Sequence, residues 1–291
     1  MITSLPSPSA ASQWCDRHRK EKISIGYVPT MGALHDGHLS LVASSIAEND
    51  ATCVSIFINP LQFNNPDDLE KYPQNRRRDI ETLQRVGCDM VYTGSLQQFF
   101  PEAEDVKQIK MNDPGPSGKG LEGKFRPGHL AGVVTIVERL FRTVGTCRAY
   151  FGEKDYQQTL VVKHLAQRLN DEGLIIDVVA CPTIRENSGL AMSSRNQRLT
   201  ENQKQVASNI YQALSRAKQS WKTGQHDPAE LQRQLREQLE HPDISIDYAA
   251  VRDQDNWTAH TPNTEISNAR ALVAAYVGAV RLIDNLYLGS G

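Results

Sequence analysis

Two histidines three residues apart, His35 and His38, stand in the stretch Pro29-Thr30-Met31-Gly32-Ala33-Leu34-His35-Asp36-Gly37-His38. An apolar run, residues 23–28, precedes them, and Leu39, Val42 and Ile46 follow on one helical stripe. The pattern predicts a strand, a turn and a helix start. Residues three apart share a helix face, so both imidazoles reach one ligand. A helix start presents unpaired N–H groups and the positive end of the helix dipole, which suits an anion. Gly32 and Gly37 have no Cβ and let a ligand approach the backbone, while Asp36 complements the dipole. These residues predict a nucleotide triphosphate site in which the histidines donate hydrogen bonds to phosphate oxygens.

Other polar groups suit the same chemistry. Ser193, Ser194 and Arg195 lie on a glycine-containing loop, and Arg offers a planar multi-donor fork to phosphate oxygens. Lys154, in Gly152-Glu153-Lys154-Asp155, is a movable point charge beyond a strand end. Taken singly, the serine–arginine loop reads more readily as a solvated loop than as a site, and Lys154 reads alternatively as a member of a surface ion pair. Together they fit adenylation, which builds charge on the α-phosphate and releases pyrophosphate. Gln62 and Gln158 carry uncharged donors and acceptors and suit a small hydroxy acid, although either alone reads as a surface amide. Asp79 is a candidate contact for Mg²⁺ held by the triphosphate. Its neighbours Arg76, Arg77 and Arg78 make a helix-surface ion pair an equal reading.

The elements that must position these groups alternate. Residues 14–21 predict a short helix, residues 23–28 a strand, and the histidine helix runs to about Asn49. Residues 52–58 form a nearly all-apolar strand, as expected where both faces are buried. Pro60 ends it in a loop that carries Asn59 and Gln62. A helix over 76–86 and a strand over 88–92 follow. This order predicts a parallel sheet with right-handed crossovers, and ligands beyond the carboxyl ends of its strands. Residues 113–120 read as loop. Leu130, Val133, Val134, Val137, Phe141 and Val144 mark an amphipathic helix. A strand over 148–151 precedes a helix for which Asp155 is the candidate cap, and another strand covers 175–180. After Asn196 the character changes to two long polar helices, 200–222 and 227–240, and strands near 244–251, 271–277 and 281–284. The expectation is an α/β chain: a Rossmann-like parallel-sheet domain over 1–182 and a smaller α+β domain over 183–291. The second domain reads as a lid, which would keep water from a labile acyl adenylate.

Bulk properties narrow the classes. The chain has 291 residues and a formal net charge of −2, which argues against a broad nucleic-acid-binding face. Cys15, Cys53, Cys88, Cys147 and Cys181 show no metal-ligand spacing and read as buried small hydrophobes of a reducing compartment. No apolar run approaches the roughly 20 residues of a membrane span. The first twelve residues lack the apolar core of a secretory signal, so a cytoplasmic location is the expectation.

Six stretches in order carry a resemblance. They are the 29–38 stretch, Ser55-Ile56-Phe57-Ile58-Asn59-Pro60-Leu61-Gln62-Phe63, Leu121-Glu122-Gly123 with Arg126-Pro127-Gly128-His129, Phe151-Gly152-Glu153-Lys154-Asp155-Tyr156-Gln157-Gln158, Met192-Ser193-Ser194-Arg195-Asn196 and Arg281-Leu282-Ile283-Asp284-Asn285. From about residue 23 to residue 285 the chain resembles the pantothenate synthetase family, ATP-dependent pantoate–β-alanine ligases of the cytidylyltransferase-like superfamily. The resemblance implies ATP with Mg²⁺, pantoate and β-alanine as ligands, and a homodimer built on the N-terminal domains. It implies that Met31, Gly32, Ala33, Leu34, His35, Asp36, Gly37 and His38 line ATP, with His38 in the proton-donor role. It assigns Gly152, Glu153, Lys154, Asp155, Ile184, Met192, Ser193, Ser194 and Arg195 to ATP as well. Asn59, Gln62 and Gln158 are implied for pantoate, with Gln62 also near β-alanine. Rival readings are a plain nucleotidyltransferase, an aminoacyl-tRNA synthetase-like protein and a non-enzymatic nucleotide sensor.

Overall fold

The computed structural model describes residues 1–289. The chain divides into two compact units. The first comprises Met1–Gly118, Arg126–Gly152 and Gln157–Pro182; the second comprises Lys119–Phe125, Glu153–Tyr156 and the chain from Thr183 onward.

The first unit is a six-stranded, all-parallel sheet. Its strands are β1 (Thr3–Leu5), β2 (Ile25–Thr30), β3 (Ala51–Ile56), β4 (Met90–Thr93), β5 (Cys147–Gly152) and β6 (Ile176–Cys181). Their spatial order is β1-β4-β3-β2-β5-β6. The helices are α1 (Pro8–Lys20), α2 (Asp36–Glu48), the short α3 (Pro66–Glu70), α4 (Arg76–Arg85), and the short α5 (Leu96–Phe99). After α6 (Leu121–Phe125), which clusters with the second unit, come α7 (His129–Val144) and α8 (Tyr156–Asp171). The strands are buried on both faces, as continuous apolar runs require. Tyr27, Cys53, Met90, Tyr92 and Ala149 face one layer with α1, α7 and α8. Val28, Val54, Val91 and Tyr150 face the other layer with α2 and α4. The expected α/β sheet is therefore present, with helices on both sides.

Two N-terminal elements differ from expectation. Helix α1 starts at Pro8 rather than near Trp14, because Ser7 caps it by accepting from Ala10 N and Pro8 takes the first turn. Strand β1, which the sequence pattern does not reveal, pairs Thr3 with Met90 at the sheet edge. It has only three residues, too few to show a period.

The second unit packs α9 (Glu201–Lys222) and α10 (Pro228–Gln238) on an antiparallel sheet of β7 (Ile244–Asp253), β8 (Ala269–Val277) and β9 (Val280–Tyr287). Thr200 and Gln203 form a capping box that starts α9. Val206, Ile210, Leu214 and Trp221 of α9 meet Leu231 and Leu235 of α10 and the Ala/Val face of β8. Helix α6 joins this unit through a buried carboxylate. Glu122 takes a two-pronged pair from Arg281 at 2.8 and 3.0 Å and a hydrogen bond from the Tyr248 hydroxyl at 2.9 Å. Arg281 also donates to Asp247 at 2.7 Å. Burial alone would lower the Arg281 pKa, but Glu122 and Asp247 outweigh it and hold it above the ordinary value.

Removing one member strands the other charge in a poorly solvated place. Arg281→Met should cost about 3 kcal/mol or more of unfolding free energy. Arg281→Lys should cost less, because one charged donor remains. Urea unfolding of the two variants checks the order.

Candidate active site

The histidine loop leaves the sheet where the strand order reverses. β2 lies between β3 and β5, whose connections run in opposite directions, so its carboxyl end borders a switch point. Thr30, the last residue of β2, donates its hydroxyl hydrogen to Ser55 O at 2.8 Å and accepts from Gly32 N at 3.2 Å. Gly32 (φ +82°) and Ala33 (φ +51°) are both left-handed, which turns the chain sharply into α2.

His35 is the N-cap of α2. Its Nδ1 accepts from Gly37 N at 3.1 Å. A neutral imidazole that accepts at Nδ1 carries its hydrogen at Nε2, so this network assigns His35 an Nε2–H donor. His38 N and Leu39 N both donate to His35 O, at 2.8 and 3.0 Å. Three N–H groups of the first turn therefore serve His35. For these three groups this departs from the expectation of unpaired helix-start donors. The two rings lie 4.0 Å apart, centroid to centroid, and so act at one place.

A second loop follows β3. Asn59 is 1% exposed and holds this loop from inside. Its Nδ2 donates to Gln62 Oε1 (3.0 Å) and to Gly132 O (3.1 Å), and its Oδ1 accepts from Leu61 N (3.2 Å). Gln62 Nε2 reaches Met31 Sδ at 3.2 Å, which ties the glutamine to the histidine loop. The Gln62 carbonyl accepts from His129 Nδ1 at 2.8 Å and from Arg126 Nη2 at 3.3 Å. Helix α7 presses so close that a Cβ on Gly132 would lie 2.1 Å from Leu61 O. Met31, Asn59 and Gln62 are thus linked in the first unit, and Asp79 accepts from Ala33 N and Leu34 N of the histidine loop at 2.9 Å each. Gln158 is half-buried in the first turn of α8, while its neighbour Gln157 is buried and donates to Ser117 O at 2.8 Å.

The cationic candidates belong to the second unit. Glu153, Lys154 and Asp155 form a single 3₁₀ turn directly after β5. Asn285 Nδ2 donates to the carbonyls of Glu153 (2.8 Å) and Lys154 (2.9 Å), and Arg270 donates to Asn285 Oδ1 at 2.6 Å. Lys154 Nζ lies 3.5 Å from Asp155 Oδ1. In the hairpin that carries Ile184 and Met192, Met192 N donates to Ile184 O at 2.9 Å. Arg185 pairs with both oxygens of Asp284 at 2.6 and 3.0 Å and stacks on Tyr211. Burial pushes the Asp284 carboxyl above the usual carboxylate range, against the pull of Arg185. Ser193 caps the 3₁₀ turn Ser194–Arg198 by accepting from Arg195 N at 3.2 Å. Asn196 Nδ2 donates to Glu186 (2.8 Å) and to Ala191 O (3.1 Å), fixing the turn from below.

Sequence comparison matches residues 4–287 to the family described as pantoate-beta-alanine ligase. The chain belongs to that family. It is 41% identical over 271 residues to a pantothenate synthetase of Cytophaga hutchinsonii, covering 93% of each chain. It is 41% identical over 264 residues to one of Pseudomonas fluorescens, covering 91% of each. The crystal structure of pantothenate synthetase from Thermus thermophilus superposes with a TM-score of 0.88 at 36% identity, covering 99% of this chain and 100% of that one. The pantoate-beta-alanine ligase of Francisella tularensis, solved with beta-gamma ATP and beta-alanine, gives 0.78 at 32% identity, covering 100% and 99%.

In this member of the family, several residues that hold these loops have no local signal of their own. Arg126 and His129 act on a backbone carbonyl 64 and 67 residues away in sequence. Gly132 reads as an ordinary helix glycine until its contact with Leu61 is seen. Asn285 works through two carbonyls far upstream. Each lies in or beside a quoted motif, but none has a spacing that names its task.

Two substitutions test this support. Asn285→Ala should leave Lys154 in place chemically but not geometrically, and turnover should fall about 10²-fold. Gly132→Ala should displace the Gln62 loop and destabilise the chain by about 1–3 kcal/mol. Steady-state kinetics paired with urea unfolding separates the two effects.

Proposed function

We infer that this chain is the ATP-dependent ligase that condenses pantoate with β-alanine, giving pantothenate, AMP and pyrophosphate through pantoyl adenylate. The observation that carries the reading is family membership across residues 4–287, with the histidine pair at the switch point of the sheet. In the first half-reaction a pantoate carboxylate oxygen bonds to the α-phosphorus of ATP, and the bond to the β-phosphate bridging oxygen breaks. In the second, the neutral amine of β-alanine attacks the acyl carbon and AMP leaves.

Each residue group has a task in this reading. His35, through Nε2–H, and His38 donate to phosphate oxygens where charge builds. Lys154, Ser193, Ser194 and Arg195 serve the same nucleotide as cationic and hydroxyl donors. Gln62 and Gln158 orient pantoate, whose hydroxyls match amides that both give and accept hydrogen bonds. Asn59 acts through Gln62. Gly152, Asp155, Ile184 and Met192 frame the nucleotide with backbone and apolar surface. Mg²⁺ enters as a companion of the triphosphate, neutralising its charge. Among the described residues no group of three or more His, Cys, Asp or Glu is arranged to hold a metal ion. A homodimer, a cytoplasmic location and the absence of a nucleic-acid partner complete the proposal. The slightly acidic balance supports the last point.

His38→Ala should lower turnover by orders of magnitude with the fold intact. Near-normal pantoate-dependent ATP–pyrophosphate exchange in that variant would refute the role. Lys154→Ala should slow adenylate formation in single-turnover experiments; slowing of the β-alanine step alone would contradict the assignment. Free AMP, released only when β-alanine is added, separates the ligase from a simple nucleotidyltransferase.

A further inference from the structure

We propose that Asp79 is a positioning residue that locks the backbone ahead of the histidine pair, and that it is not a metal ligand. Asp79 lies in α4 and is 3% exposed. Its Oδ2 accepts from Ala33 N at 2.9 Å and its Oδ1 accepts from Leu34 N at 2.9 Å. One carboxylate thus bridges two successive N–H groups, in the manner of an anion held by a backbone nest. The fit is tight: a Cβ on Gly32 would lie 3.0 Å from Asp79 Oδ2.

The loop needs such a clamp. Ala33 is left-handed at φ +51°, a conformation that costs an alanine about 1–2 kcal/mol. It persists only where surrounding contacts impose it. The next residue but one is His35, whose backbone and Nδ1 start α2. The orientation of both imidazoles is therefore set by the turn that Asp79 holds.

The same geometry fits a metal poorly. Mg²⁺ demands near-ideal octahedral coordination and keeps several waters. A carboxylate this buried, with each oxygen already engaged by an amide, has no room for a hydrated ion. Nor is Asp79 the partner of the arginine run beside it as a surface pair: Arg77 donates to Glu81 at 2.9 Å and Arg76 to Thr93 at 2.6 Å.

The proposal rests on the ligase reading for its kinetic consequence, but not for the clamp itself. The test uses the full chain with Asp79→Asn, Asp79→Ala and Ala33→Gly/Asp79→Asn. Amide hydrogen exchange at Ala33 and Leu34 should be slow in the parent and faster in Asp79→Ala. Pantoate-dependent pyrophosphate exchange should fall about 10²-fold in Asp79→Ala and less in Asp79→Asn. The Mg²⁺ concentration for half-maximal rate should stay unchanged. Ala33→Gly, which removes the strain, should restore part of the rate lost in Asp79→Asn. A raised Mg²⁺ requirement with full rate recovered at saturating Mg²⁺ would overturn the proposal, as would unprotected amides in the parent. Protected amides in a parent without exchange activity would sink the ligase reading and leave the clamp standing.

Discussion

A parallel sheet whose connections run outward in both directions from one strand leaves a crevice that no crossover helix can cover. Here that strand is β2, and its carboxyl end is followed by the histidine loop. The rest of the first unit depends on this reversal. Because β3 flanks β2, the loop after β3 brings Gln62 to Met31. Burial on both faces fixes the register: alternate residues of each strand serve opposite layers, so a one-residue slip would put every side chain on the wrong side. The sheet interior even accommodates a chain of hydroxyls, Ser55, Tyr27 and Tyr92, whose phenols burial holds neutral.

In each of the two units the chain uses polar side chains to hold loop backbone. Asn59 supports Gln62, His129 and Arg126 hold the carbonyl of Gln62, and Asn285 holds the carbonyls of Glu153 and Lys154. Asn59, His129 and Asn285 are buried. A buried donor with a partner of good geometry contributes modestly to stability but is costly to orphan. That asymmetry fixes loops, which otherwise have few apolar contacts to restrain them.

Much of this was legible in sequence where a physical period or a strong local preference was present. The long apolar strand after Ala51, the stripe of α7 and the capped helices α9 and α10 announce themselves. So does the closeness of His35 and His38, three residues apart across a helix start, although His35 is the extended N-cap rather than a helical residue. What stayed hidden depends on partners far along the chain. The three residues of β1 show no alternation and exist because β4 offers an edge. Composition made the Ser7-Pro8 start of α1 look like loop. Asp79 reads as a surface or metal-facing carboxylate until the fold brings it under Ala33 and Leu34, and nothing local distinguishes those roles. Similarly, Lys119–Phe125 lies within the N-terminal range by position, yet the Glu122–Arg281 pair groups it with the second unit.

The way N–H groups are used around the histidines bears on the chemistry itself. A glycine-rich phosphate cradle spends backbone N–H groups on its ligand. Here the N–H groups of Gly37, His38 and Leu39 serve His35, and those of Ala33 and Leu34 serve Asp79. In the proposed reading, the imidazoles of this loop take the part that N–H groups play in such a cradle. Side chains can follow a phosphate as its charge shifts, whereas a rigid backbone nest is built for one position. A two-step reaction places negative charge first on departing pyrophosphate and then on departing AMP, so donors that adjust between the steps suit it better than a fixed cradle. In that reading Asp79 and the His35 cap hold the turn that carries the two imidazoles.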